Sequence, residues 1–536
     1  MELSSLNPEQ RQAVKTVDGP LLILAGAGTG KTRVITSRVA YMISKGISPN
    51  RILAVTFTNK AAREMQQRVR EQVPKFKSAN KNENIQKPTI CTFHSLCVRI
   101  LRRHIEKLGY KKNFVIYDES EQLGVVRRLL SHISDKSKKP DPYLVLSLIS
   151  RWRNSSVDSL NFADLDTAAL AKHLIKNYKQ TLKASNAVDF DDLILLVLQL
   201  FKDHPASLEE CRNRYHYIMV DEYQDTNGSQ FNLINSLACE HRNFCVVGDD
   251  DQSIYGWRGA EVANLLDLEK YFPEVKTVKL EQNYRSTNTI LNAANAVIKN
   301  NSKRREKKLW SNKGVGEPIT VWEFCDDEEE AQAIVEEINY NHCIKKIRWS
   351  DHAILFRTNQ QSRSLEAALR KANIRYNLVG GQSFFDRKEI RDFVSYLKLF
   401  LNPDDDTGLL RIANVPSRGL SNATMEKLLQ LSQERKCSVF SVMREKDALE
   451  GFRARTKDAI FDFVELVQVY HNKLMQPVIA HPESPLKAWC SAWLAEVELF
   501  REVRRIEKNE ESAENKVRNI IDLLDTMDPD FIPTDR

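Results

Sequence analysis

The sequence contains no uninterrupted run of about 18 apolar residues, so no segment has the character of a membrane-spanning helix. Its first ten residues, MELSSLNPEQ, hold no basic stretch followed by an apolar core, which argues against a secretory leader. Cysteine is sparse, 9 in 536 residues, and no two cysteines form a CxxC pair. That scatter argues against a zinc site and a disulfide framework, and for a reducing cytoplasm. Internal repeats and low-complexity tracts are absent too. Neither sign of charge dominates: 79 Lys and Arg stand against 72 Asp and Glu, a net charge of +7. Such a balance permits a nucleic-acid partner through a local basic groove without demanding one.

What is present is an ordinary globular composition, 42% hydrophobic and 28% charged, in a chain long enough for about three to five domains. Short apolar runs at Leu21–Leu24, Ile52–Phe57, Tyr217–Val220, Phe244–Val247 and Val275–Leu280 alternate with helix-favouring sequence, the pattern of a parallel sheet with crossover helices. Between them, roughly 95–215, the sequence is helical in character, as at Val98–Lys107 and Asp191–Leu200. A helical domain is therefore expected inside the first α/β domain. A second α/β segment is expected from near 281, with a strand at Ile354–Arg357, and helix again from about Gly380 onward. The charged runs Ser302–Lys308 and Asp326–Glu330 read as solvated faces. Trp152, Trp310, Trp322 and Trp489 have no motif around them and read as core. The acidic stretch Val188–Leu193 reads as the cap of an apolar helix.

Residues Ala25–Thr32 read AGAGTGKT between a strand-like run and helical sequence beginning near Thr32. Glycines in such a loop let backbone N–H groups approach phosphates, Lys31 reaches the β and γ phosphates, and Thr32 offers a hydroxyl to Mg²⁺. The strict pattern has glycine where this chain has Ala25, but Gly26, Gly28 and Gly30 keep the loop open. A later strand ends in VDEYQDT, Val220–Thr226, where Asp221 is suited to hold a metal and Glu222 to orient and deprotonate water. Acidic pairs at strand ends are common; with a phosphate loop upstream in the same sheet, this one predicts metal-dependent hydrolysis of a nucleoside triphosphate. The stretch GDDDQSIYGWRGA, Gly248–Ala260, then joins acidic and amide groups to Tyr255, Trp257 and Arg258, residue types that hold unpaired bases and backbone phosphates.

In this order the motifs resemble those of the superfamily 1 DNA helicases of the Rep/UvrD/PcrA type, most closely the Rep branch, from Leu6 almost to the end. LNPEQ at Leu6–Gln10 resembles the family's adenine-reading motif. TFTNKAA at Thr56–Ala62 and TFHS at Thr92–Ser95 resemble its first single-strand contacts, the Gly248 stretch its coupling motif, and LEQNYRS at Leu280–Ser286 the motif that opens its second motor domain. The resemblance implies an α/β fold of RecA-like, P-loop NTPase motor domains on parallel sheets, with two inserted, mainly helical domains. The first motor domain would comprise 1–90 and 192–280, with a helical insertion at 91–191. The N-terminal part of the second motor domain would follow at 281–377, then a helical, regulatory insertion at 378–536.

The same resemblance implies residue roles. Gln10 would read adenine and Tyr284 stack on it, while Ala27, Gly28, Thr29, Gly30, Lys31, Thr32 and Arg33 hold the phosphates. Thr32 and Asp221 would hold Mg²⁺; Lys31, Glu222, Gln252 and Arg285 would be catalytic, with Gln252 and Arg285 on the γ-phosphate. Phe57, His94, Tyr255, Trp257, Arg258, Arg357 and Asn359 would line the DNA path. Five residues separate Gln252 from Trp257, at most about 17 Å of extended chain, so a shift at the phosphate sensor can move a stacked base. ATP and Mg²⁺ are the implied ligands. The implied partners are single-stranded DNA, single–double-strand junctions and proteins of the replication fork or of repair, in the cytoplasm at the nucleoid, with no membrane.

Two further motifs of that family, T-x-H-x-x-K-G-x-E-F and a Thr-Arg-Ala arginine, do not occur in the sequence. The second motor domain is therefore expected to be incomplete and to lack one of two γ-phosphate arginines. Two functions stay open: an ATP-dependent 3′→5′ DNA helicase or translocase, and a remnant that binds ATP and single strands without productive turnover. A kinase-like phosphate-loop enzyme would lack an acceptor domain and leave Tyr255, Trp257 and Arg258 unexplained.

Overall fold

Six segments pair side by side, all parallel, in the order β3-β2-β6-β7-β1-β8. They are β1 (Leu21–Ala25), β2 (Ile52–Thr56), β3 (Thr89–Thr92), β6 (Tyr217–Val220), β7 (Phe244–Gly248) and β8 (Lys276–Leu280). The computed structural model describes residues 3–73, 86–131, 140–154, 165–256, 259–379, 387–435, 437–475, 485–507 and 510–525. The central strands are apolar end to end because both faces are covered. Alternate residues face opposite ways, so Leu22, Leu24, Leu53 and Val55 enter one core cluster and Leu21, Ile23, Ile52 and Ala54 the other. At the edge, β8 exposes Lys276 and Lys279 and buries Val278 and Leu280, a charged border that discourages further pairing.

The expected helical insertion lies between β3 and β6. Its helices Glu119–Ser131, Pro142–Asn154 and Leu165–Ala184 pack on a separate cluster around Val126, Ile149 and Tyr178. A two-stranded parallel ribbon, β4 (Val115–Ile116) with β5 (Ala187–Val188), closes its base. Helix Phe190–Asp203 begins with Asp189 as N-cap in a reciprocal capping box with Asp192, as the acidic stretch predicts. Arg153 adds a buried ion pair to both carboxylates, 2.6 Å from Asp189.

The chain divides into two compact units: Met1–Glu317 with Lys398–Ala413 and Arg418–Met475, and Pro318–Leu397 with Asn414–Ser417 and Gln476–Arg536. In the second, helices Asp327–Cys343 and Ser362–Lys371 pack through Val335, Ile338, Leu369 and Ile374. The strand expected at Ile354–Arg357 does not form, and among the described residues no strand follows Leu280. A strand needs a hydrogen-bonded neighbour; here none is present, and Leu355 stays 94% exposed. Trp310 and Trp322, expected in a core, are 46% and 48% exposed.

Candidate active site

All six strands of the sheet point their C-terminal ends the same way, and the loops leaving those ends carry the sequence motifs. Parallel α/β sheets bind ligands along this edge. From β1 the chain turns through Gly28 (φ +69°) and Gly30 (φ +89°) into helix Lys31–Ser44, whose first turn presents unpaired N–H groups. Gly28 is required for space as well as backbone: a Cβ there would stand 2.6 Å from Asn283 Nδ2 and 2.8 Å from Arg285 Cβ. β6 delivers Asp221 and Glu222, the latter in the left-handed region at φ +51°, a conformation uncommon outside glycine. β7 delivers Asp249–Gln252.

These loops are joined by one hydrogen-bonded chain. Lys31 Nζ is 2.8 Å from Glu222 Oε2, which also accepts from Gln224 Nε2 at 2.9 Å. Gln224 Oε1 accepts from the Asp249 N–H at 2.9 Å, and Asp249 Oδ2 accepts from Gln252 Nε2. Asp221 is 3% exposed and accepts from the Glu222 N–H at 3.1 Å. Burial first, then the charge of Glu222, push its carboxyl up to about 7 against the pull of Lys31. Burial and Glu222 likewise push Asp225 up to about 6. The buried Asp221 carboxylate at the strand end is the kind of hard oxygen ligand that suits a divalent cation.

β8 runs into Gln282–Arg285, which is laid against the phosphate loop. Asn283 Nδ2 donates to Ala27 O at 2.6 Å, and the Tyr284 N–H to Gly28 O at 2.9 Å. Tyr284 and Arg285 are exposed at this rim. Gln10 is buried, its amide donating to Thr29 O at 2.8 Å. Thr29 turns its hydroxyl inward to Gly26 O, Thr32 is half-buried, and Arg33 reaches out to Ser5 O at 3.1 Å.

The expected DNA contacts divide into groups. Phe57, at the end of β2, meets Phe93 edge-on at 5.4 Å, and His94, at the end of β3, meets Phe190 edge-on at 5.6 Å. Burial, opposed by the charge of Asp191, lowers the His94 pKa and favours the neutral ring. Tyr255 is 39% exposed and so is not a core residue. Trp257, Arg258 and the Asn359 side chain lie outside the described residues. Arg357 is exposed in the second unit, its N–H donating to Gln361 Oε1 at 2.9 Å.

Sequence reasoning missed Phe190, 49% exposed at the start of its helix. An aromatic between capping aspartates was the available signal. It also missed Gln224, and in Ser302–Lys308, where Ser302, Lys303, Glu306 and Lys308 are exposed as expected, it missed Lys307. Lys307 is no solvated side chain: it is 6% exposed, with Nζ 2.9 Å from Asp249 Oδ1, 2.7 Å from Asp251 Oδ2, and against Asp250. Arg304 holds both oxygens of Asp251 at 2.9 Å. The three aspartates could converge on one metal ion; an ammonium occupies that place. Burial lowers the Lys307 pKa, but the charge of Asp249 and the hydrogen bonds that the ammonium donates to the acids outweigh it, and the net shift is upward.

Residues 6–273 match the family model of the UvrD/REP helicase N-terminal domain, and residues 278–529 match that of the UvrD-like helicase C-terminal domain. The ATP-dependent DNA helicase PcrA of Staphylococcus aureus (strain NCTC 8325 / PS 47) is 44% identical over 470 residues, 87% of this chain and 63% of that protein. PcrA of Staphylococcus epidermidis (strain ATCC 12228 / FDA PCI 1200) shows the same identity over the same shares. The match thus spans 63% of the length of these relatives.

Proposed function

Because the chain belongs to the UvrD/REP helicase family, we propose that it hydrolyses ATP to move on single-stranded DNA. In finer detail, the proposal is a Rep-like 3′→5′ translocase and helicase, acting at single–double-strand junctions with replication or repair proteins, in the cytoplasm at the nucleoid. The hydrogen-bonded chain Lys31–Glu222–Gln224–Asp249–Gln252 carries this reading, because it ends three residues before Tyr255. A phosphate arriving at the loop would draw Lys31 away from Glu222. The released carboxylate is then free to orient water and take its proton, and the change passes through Gln224 to the turn that leads to the bases. Thr32 and Asp221 would hold Mg²⁺, whose charge offsets that on the β and γ phosphates. Gln10 and Tyr284 would seat the adenine, Gly28–Arg33 the phosphates, and Arg285 the γ-phosphate from the far side. Phe57, His94, Tyr255, Trp257 and Arg258 would line the DNA path, and Arg357 and Asn359 are proposed as further DNA contacts; stacking grips any base and suits a motor indifferent to sequence.

Steady-state ATPase with and without single-stranded DNA tests this reading. DNA is expected to stimulate turnover strongly, and Lys31→Ala to abolish it while keeping the single-strand Kd within about threefold, since the lysine reaches phosphate and not DNA. Binding of both ligands without turnover would instead identify a binding module and overturn the enzymatic proposal.

A further inference from the structure

Residues 304–311 form a short strap across the nucleotide site. At one end it meets the aspartate turn of Asp249–Asp251 through Arg304 and Lys307. In its middle, Leu309 crosses the phosphate loop so closely that a Cβ on Gly26 would stand 2.3 Å from its Cδ2. At the other end, Trp310 bridges to Gln282, and its carbonyl accepts from the Asn283 N–H at 2.7 Å. Eight residues therefore touch three loops that arrive from β7, β1 and β8. The Arg305 N–H also donates to Asp250 Oδ2 at 2.6 Å, while its side chain points elsewhere, to Glu269 at 2.8 Å and to the Leu266 carbonyl.

Lys307 sits where this strap governs the phosphate sensor. An ammonium has three N–H groups, and here each faces the carboxylate of a different, consecutive aspartate. That arrangement orients all three side chains at once. It leaves Asp249 Oδ2 for Gln252, while Asp249 Oδ1 also accepts from the Asp251 N–H at 3.2 Å. Without the ammonium, the buried carboxylates of Asp249 and Asp250 would lose their cationic partner, while Asp251 would keep Arg304 and Asp250 the Arg305 N–H, so the turn would have to open or take up protons.

We infer that Lys307 is a positioning residue for ATP turnover, locking the Asp249–Asp251 turn so that Gln252 and, through Gln224 and Glu222, Lys31 are held in one register. This inference rests on the proposed ATPase reading for its consequence, but not for its geometry. It assigns a role to the strap: a change at the γ-phosphate is transmitted along the chain instead of being absorbed by a loose turn.

The test uses the full chain with Lys307→Met, which keeps length and removes charge, Lys307→Arg, and Arg305→Gln as the control. Hydrogen exchange is followed at the amides of 249–253 and at those of β1, without nucleotide. Lys307→Met is expected to speed exchange at 249–253 at least tenfold and leave β1 unchanged; Lys307→Arg restores part of the protection, and Arg305→Gln changes neither. In the DNA-stimulated ATPase, Lys307→Met is expected to lower kcat at least tenfold with the KM for ATP within twofold, Lys307→Arg to recover part of it, and Arg305→Gln to match the parent within twofold. Exchange at 249–253 unchanged in Lys307→Met, exchange raised equally in β1, or a kcat loss shared by Arg305→Gln would overturn the inference. A parent chain without DNA-stimulated turnover would sink the ATPase reading instead, and the exchange comparison would still decide whether Lys307 sets the turn.

Discussion

At the scale of single residues, position within a tertiary neighbourhood decides between a structural and a functional reading. Phe190 and Tyr178 are both aromatic side chains beside the acids of the α/β–insertion junction. Tyr178 is buried and donates to Asp189 at 3.0 Å, and it packs the insertion. Phe190 leaves half its ring in solvent, against His94. If that pair lies on the DNA path, Phe190→Ala removes a stacking surface worth about 1–3 kcal/mol per base. Single-strand affinity measured by fluorescence anisotropy should then fall about 5- to 150-fold, since about 1.4 kcal/mol is tenfold. ATP affinity should hold within about twofold, because its ring partner, His94, is not among the residues proposed for the nucleotide. A DNA affinity unchanged in Phe190→Ala would remove this side chain from the path.

At the scale of elements, caps and buried acids set how stability depends on pH. The helix Val439–Arg444 is capped by Ser438, and Asp406 Oδ1 accepts the Val439 N–H at 2.7 Å. Burial pushes this carboxyl up to about 7, despite that hydrogen bond. The folded state therefore holds the proton more tightly than the unfolded chain. Its stabilising effect is fully present below pH ~4 and is lost as pH rises through about 7. Asp406→Asn keeps an acceptor for Val439 without the charge. Thermal melts should show a gain in Tm that is larger at pH 8 than at pH 5, by a few degrees. An equal shift at both values would mean that Asp406 does not titrate in this range.

At the scale of the whole molecule, net charge explains little: +7 over 536 residues is too dilute to grip a polyanion. On the proposed function, backbone binding would come from local groups, Arg357 and the loops at the strand ends among them. Single-strand affinity is accordingly expected to fall with salt, with a log–log slope of about −0.7 for each phosphate contacted. Titrations between ~50 and ~200 mM salt would read the number of contacts directly. Affinity independent of salt would contradict a groove that tracks the backbone.

Much of this protein was legible in the sequence, because the signals are local. Five of the six sheet strands are apolar runs recognisable in isolation. The phosphate loop, the Asp221–Glu222 pair, and the motif around Gln252 each follow such a run directly. A parallel sheet does the rest, since it sends every strand end to the same edge. The expectations that failed depended on partners distant in sequence. Ile354–Arg357 has the composition of a strand but no neighbour to pair with among the described residues. Ser302–Lys308 has the composition of a solvated run, yet Lys307 is buried because three acids about 57 residues earlier need its charge in a low-dielectric turn. Local pattern specifies which elements can form and which chemistry they carry. Only the packed structure decides which charges lose their water, because desolvation depends on what arrives from elsewhere in the chain.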